Sequence, residues 1–165
     1  MHTVRSWRRV GLLATVVAVL AFGWAPPAWA PCVSCKTTSL MLPLAGAFLT
    51  PPDPCVGSGE IVELTGLVHV VSVVRSDSVA DIYLNTAGVH GVGQTTGTTY
   101  IGTGANRLLG VALPSRDFQA DFTLEPTDRC ASTALPLAFV LEFGDDGALL
   151  DTSTVSVGGL GDLGG

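Results

Sequence analysis

The chain has 165 residues, 47% of them hydrophobic, with 14 carboxylates against 8 lysines and arginines. Beyond Ala30 only Lys36, Arg75, Arg107, Arg116 and Arg129 oppose the fourteen acids, a net charge of −9. That balance, with no basic cluster, repels nucleic acid and anionic lipid headgroups and excludes partners recognised through phosphates.

Met1 to Ala30 reads as a signal peptide. Arg5, Arg8 and Arg9 precede Val10 to Phe22, an uncharged and mainly apolar run. The run is shorter than the ~20 residues a spanning helix needs, and Pro26-Pro27 ends it. Ala28-Trp29-Ala30 places small residues at the two positions a signal peptidase reads, which puts the mature start near Pro31. The expected location is therefore secreted, periplasmic or extracellular, with no stable membrane insertion once the signal is removed.

Cys32, Cys35, Cys55 and Cys130 all lie in the exported part. In an oxidising compartment an even count reads as two disulfides, and three pairings are possible. Cys55 with Cys130 is preferred, since it would tie the start of the β-domain to a mid-domain loop and leave Cys32 with Cys35. Residues 31–58 are rich in proline and small side chains and read as an extended arm, with one edge strand around Leu44 to Thr50.

The all-β domain is expected over residues 59–157. In Glu60 to Val74, the residues Val62, Leu64, Val68, Val70 and Val74 share one parity and mark a buried face, and Gly66 suggests a bulge. Arg75 to Ser78 is a polar turn. Ala80 to Ala87 alternates again and leads into the glycine-rich stretch Gly88 to Gly104. Arg107 to Leu113 is a further strand, and Pro114 to Asp117 turns out of it. Phe118 to Glu125 alternates apolar with polar throughout, as a half-buried antiparallel strand does. Leu135 to Phe143, the turn Gly144-Asp145-Asp146-Gly147, and Ala148 to Val157 form the last hairpin, and residues 158–165 form a glycine-rich tail. No window past the signal has a 3.6-residue period. The fold class is all-β, an antiparallel sandwich or barrel of roughly seven to nine strands.

Gly88 to Gly104 reads as a hairpin folded about Thr96-Gly97, pairing Gly93 with Tyr100, Val92 with Ile101 and Gly91 with Gly102. One face would carry His90, Val92, Ile101 and Thr103. The other would carry Gly91, Gly93, Gly102 and Gly104, with Tyr100 as its one large side chain. Glycine inside strands marks a bend or a close approach by backbone or ligand. Two uses follow: Tyr100 packs across the opposite glycines, or His90, Tyr100, Gly91, Gly93 and Gly102 form a shallow ligand site.

Glu60 to His69 and Gly88 to Gly104 also carry a resemblance. The chain resembles a group of exported bacterial proteins of unknown function with an early C-x-G-E-x-V-x-L-x-G-x-x-H block and a G-V-x-G-x-G-x-T-T-G-x-x-Y-x-G-T-G block. Here the first block starts at Cys55 with a two-residue insertion, and the second matches across Gly88 to Gly104. The group has a further cysteine near the C-terminus, where this chain has Cys130 instead. The resemblance implies export and an all-β fold and carries over no active site.

Cys32-Val33-Ser34-Cys35 lacks the second pair of ligands a zinc site needs and the βαβ setting of a redox motif. His69 and His90 are the two histidines past the signal, both in expected strands, and no G-x-S-x-G, H-E-x-x-H or P-loop is present. No metal, cofactor or catalytic set is therefore assigned. The favoured function is a non-catalytic exported binding or structural module for an unknown small molecule or surface partner. The alternative is a small hydrolase or isomerase whose barrel interior uses His69, His90, Tyr83 or Tyr100. A polar chamber would favour the enzyme, and a filled apolar interior the module.

Overall fold

The computed structural model describes residues 35–52, 57–76, 78–114, 117–128 and 130–158. The signal-peptide reading, Cys32, Cys55 and the tail past Gly158 lie outside the described residues. Nine strands form one antiparallel sheet: β1 (Lys36–Leu49), β2 (Ile61–Ser76), β3 (Val79–Thr86), β4 (His90–Gly93), β5 (Thr99–Thr103), β6 (Ala105–Ala112), β7 (Asp117–Pro126), β8 (Thr133–Val140) and β9 (Thr154–Val157). Hydrogen-bonded neighbours run β6-β3-β2-β4-β5-β7-β8-β9, with β1 attached to β2. The path ends at β6 and β9, so the sheet is not closed into a barrel.

The architecture turns on β2, whose even-numbered residues Val62, Leu64, Val68, Val70 and Val74 are buried as the alternation predicts. One edge of β2 pairs with β1 along the whole of that strand, from Leu49 opposite Ile61 to Lys36 opposite Val74. The other edge changes partner midway. Val62 to Thr65 pair with β4, and Val68 to Ser76 pair with β3. Gly66 stands at the exchange with φ at 142°, and a Cβ there would lie 2.4 Å from the Gly88 carbonyl oxygen. The β1–β2 register passes through Gly66 without a shift, so the residue makes no bulge in that ladder. It lets the turn before β4 lie directly against β2.

The stretch read as an extended arm is mostly β1. It contributes Leu42 and Leu44 to the core and belongs to the same compact unit as the other strands. Pro43 fits because β1 pairs on one side alone in the sheet. The expected strand over Ala148 to Val157 is shortened to β9. A turn intervenes, in which the Ser153 N–H donates to the Leu150 carbonyl and the Ser153 hydroxyl accepts from the Glu142 N–H. Gly158 is held by the Pro136 carbonyl at 2.8 Å. A real bulge lies elsewhere, where Ala80 pairs with Val111 but Ile82 with Leu108.

Leucine, valine and phenylalanine from all parts of the sheet fill the interior. Phe118 and Phe139, partners in the β7–β8 register, stack at 5.1 Å, and Phe122 adds a tilted contact at 6.4 Å. Such pairs add about 0.5–1.5 kcal/mol beyond their area. Among the described residues the Ser72 hydroxyl is the one buried side-chain polar atom without a hydrogen bond. Ser72→Ala should therefore raise stability by about 1 kcal/mol, because it removes an unsatisfied buried group. A urea melt with a lowered midpoint would mean that the hydroxyl is satisfied in solution.

Candidate functional site

The β4–β5 hairpin has the two faces its alternation predicts, but its register differs by two residues. His90 pairs with Ile101, Gly91 with Tyr100 and Val92 with Thr99, so the loop centres on Thr95-Thr96. The Gly93 N–H donates to the Thr98 carbonyl, and the Gly97 N–H donates to the Gly93 carbonyl. A two-residue slip preserves which side chains point inward. What selects the longer loop is a carboxylate beneath it.

That carboxylate is Glu60, 2% exposed. Its Oε2 accepts from the N–H groups of Thr95 and Thr96 at 3.2 and 3.0 Å. Its Oε1 accepts from the Thr96 hydroxyl at 2.8 Å and the Tyr100 hydroxyl at 2.7 Å. At its backbone, the Glu60 N–H donates to the Thr50 hydroxyl and the Glu60 carbonyl accepts from the Thr50 N–H, both at 2.9 Å. One residue thus joins the end of β1, the start of β2 and the hairpin loop. Burial pushes the carboxyl pKa up. The Thr96 N–H, the Tyr100 and Thr96 hydroxyls and the Thr95 N–H outweigh burial and hold it below its ordinary 4.5.

Gly93 is the floor under Glu60, where a Cβ would lie 2.3 Å from the carboxylate atoms. A Cβ at Gly91 would meet Val62, Leu64 and the Glu63 carbonyl oxygen within 2.9 Å, and one at Gly102 would meet Val89 at 2.8 Å. Gly91, Gly93, Gly102 and Tyr100 are all buried, whereas Gly104 is exposed with φ at 119°. His90 stands on the opposite, exposed face. Its Nδ1 lies 3.1 Å from the Gly88 carbonyl, which can only accept, so Nδ1 donates and Nε2 faces the Thr65 hydroxyl at 3.2 Å. The five residues considered as a ligand site therefore do not share one surface. Tyr100 borders a cleft of about 140 Å³ with Thr50, Pro51, Pro52, Ala131, Ser132 and Thr133.

Two further polar groupings lie on the outer face. His69 sits between Ser39 on β1 and Asn85 on β3, with Nε2 2.7 Å from the Ser39 oxygen and Nδ1 3.4 Å from the Asn85 Nδ2. Asp81, 2% exposed at the β3–β6 bulge, pairs with Arg75, accepts from the Gly110 N–H at 3.0 Å, and has Arg107 at 3.8 Å. Arg107 also covers the Tyr83 ring at 4.9 Å. Burial raises the Asp81 pKa, but the Gly110 N–H and the two arginines bring it below its ordinary value.

Among the described residues no group of histidine, cysteine and carboxylate side chains is arranged to hold a metal ion. Neither described cysteine, Cys35 or Cys130, is a free thiol. No helix of the described residues is long and apolar enough to cross a membrane. The chain matches no protein-family model, and neither a curated protein nor a solved structure is detectably similar to it.

Sequence reasoning passed over Glu60, although its parity with Val62 and Leu64 places it on the buried face. Asp81 could not be found by parity, because it faces outward and is covered by arginines across a bulge.

Gly93→Val should destabilise the fold by at least about 1–3 kcal/mol, since the added side chain displaces the Glu60 carboxylate. In a Glu60→Ala background the same substitution should cost clearly less, because the obstructing group is gone and the effects are not additive. Unshifted urea midpoints for Gly93→Val would mean that this glycine faces open space.

Stability should also depend on acid through Glu60. A carboxyl whose folded pKa lies below its unfolded value stabilises fully above the unfolded value of 4.5, and that contribution disappears as pH falls through the folded value. Glu60→Gln should flatten the acid side of the stability–pH curve, with Asp81 and Asp146, whose carboxyls are also held below their ordinary value, contributing to the dependence that remains. An acid limb identical to that of the parent would remove Glu60 from this role.

Proposed function

We propose that the chain is an exported, non-catalytic β-domain that binds a small molecule or a surface partner in the periplasm or outside the cell. The observation that carries the reading is the occupancy of the interior. Apolar side chains fill it, and the one carboxylate that faces it among the described residues is committed to the hairpin through Thr95, Thr96 and Tyr100. Interior enzyme chemistry would need a polar chamber joining a histidine to a tyrosine or carboxylate, and His69 and His90 belong to the outer face. The signal-like leader, the net charge of −9 and the resemblance to exported proteins support export and argue against nucleic-acid partners.

Export also bears on the cysteines. Cys35 precedes β1 at its Lys36 end, whereas Ala131 to Thr133, just after Cys130, line a cleft with Thr50 to Pro52 beyond the other end. Fourteen strand residues span about 45 Å. Bridged cysteines need Cα atoms within about 7 Å, so Cys35 and Cys130 are not each other's partners. Cys55 lies three residues past Pro52 in the chain. The pairing that fits is Cys55 with Cys130 and Cys32 with Cys35.

Mass spectrometry of the exported protein should show a start near Pro31, no free thiol, and cross-linked peptides of those two pairs. An intact Met1 or four titratable thiols would overturn export into an oxidising compartment. For the non-catalytic reading, a panel of ester, glycoside and peptide substrates should give no repeated turnover. Sustained turnover abolished by Tyr100→Phe, Tyr83→Phe or His90→Ala would establish the enzyme reading instead.

A further inference from the structure

The outer face of β1, β2 and β3 carries an arrangement that the binding reading does not use. Ser39, His69 and Asn85 come from three adjacent strands and lie in one line across the sheet. The Ser39 oxygen is 2.7 Å from His69 Nε2, and the Asn85 amide nitrogen Nδ2 is 3.4 Å from His69 Nδ1. The ladders place them, not loops: Met41 pairs with His69, His69 with Asn85, and Ser39 with Val71. Ser39 and Asn85 are exposed and His69 is half-buried. The order is nucleophile, base and orienter.

We propose that Ser39 is an activated serine that accepts an acyl group from an ester, with His69 as its base and Asn85 as the residue that positions His69. Base action requires a proton on Nδ1 and a free Nε2. As placed, Asn85 presents its Nδ2 to Nδ1. The alternative orientation, with the amide oxygen toward Nδ1, is the one that selects the base tautomer. The two orientations have the same shape, because the oxygen and nitrogen exchange places by a half-turn of the amide. Ser39 Oγ then attacks the acyl carbon, and its proton passes to His69 Nε2. The bond between acyl carbon and leaving oxygen breaks, and the leaving alkoxide takes the proton from His69. The products are an O-acyl Ser39, a free alcohol and neutral His69, so no redox partner is needed.

The surroundings define the donor. Val71 and Met41 flank the line, and Met41 is 53% exposed, so a short apolar acyl group is seated there better than a charged one. The line lies on the outer sheet face with Ser39 and Asn85 both open to solvent. One acylation per chain, not continuous turnover, is the expected outcome.

The test is p-nitrophenyl butyrate added to the purified exported protein, read by phenol release and by intact and peptide mass. One butyryl group should appear on Ser39, and Ser39→Ala should abolish it. His69→Gln should slow labelling by at least about tenfold, the lower range for loss of a general base. Asn85→Asp, which can only accept from Nδ1, should accelerate labelling, and Asn85→Leu should slow it, with unfolding midpoints confirming that each variant is folded. Absence of the adduct, adducts on other hydroxyls or lysine alone, or a rate indifferent to His69→Gln would overturn the proposal. Repeated turnover that depends on Ser39 would leave the acylation in place and overturn the non-catalytic reading instead, so the two can fail separately.

Discussion

A carboxylate buried without a cation among the described residues is the constraint around which the hairpin end of the domain is built. Glu60 keeps its charge in the interior because four neutral donors converge on it, two of them backbone N–H groups at the apex of a loop. Hydrogen bonds to a charged group contribute about 1.5–3 kcal/mol each, against the several kcal/mol needed to desolvate an ion. The four donors together offset that cost. The loop must therefore be long enough to turn Thr95 and Thr96 inward, the register must place Tyr100 opposite Gly91, and the residue beneath the carboxylate must be glycine. Loop length, register and Gly93 are three consequences of one buried charge.

The same logic explains what alternation could and could not reveal. The inward set of β2, the faces of the hairpin and the apolar side of β7 were legible because a period of two needs no knowledge of neighbours. Register was not, because the Thr96-Gly97 centre looks like the better turn until the demand of Glu60 is known. Gly66 was visible as an anomaly, yet its meaning required the partner exchange between β4 and β3, a property of three strands together. β1 was underestimated because proline lowers the strand signal where an edge tolerates it. The outer-face residues Ser39, His69 and Asn85 are spread over 46 positions of chain, and only the ladders bring them together.

Partner exchange also accounts for how one sheet encloses a core without closing. Each half of β2 carries a different set of neighbours on one edge while β1 holds both halves on the other. β3 and β6 build out from one half, and β4, β5, β7, β8 and β9 from the other. The interior is then shared between the two parts of a continuous sheet. At one free border the Asn106 side chain donates to the Asp121 carbonyl at 2.6 Å, a side-chain clasp in place of a ladder. At another, Val157 of β9 packs where a Cβ at Gly46 would lie 2.9 Å from its Cγ2.

Glu60 and Asp81 are equally hidden from solvent, and each carboxyl is held below its ordinary pKa, but by opposite means. Glu60 faces the interior, where a long cationic side chain would displace packed apolar groups, so short neutral donors are the workable solution. Asp81 lies on the outer face, where Arg75 and Arg107 cover it while their own charged ends remain partly in water. Two of the few cations in a strongly acidic chain are thus engaged at Asp81. The line of Ser39, His69 and Asn85 lies on the same sheet face and holds no carboxylate, lysine or arginine. An imidazole beside an exposed hydroxyl, on a strongly acidic chain, suits a neutral acyl donor better than a phosphorylated one.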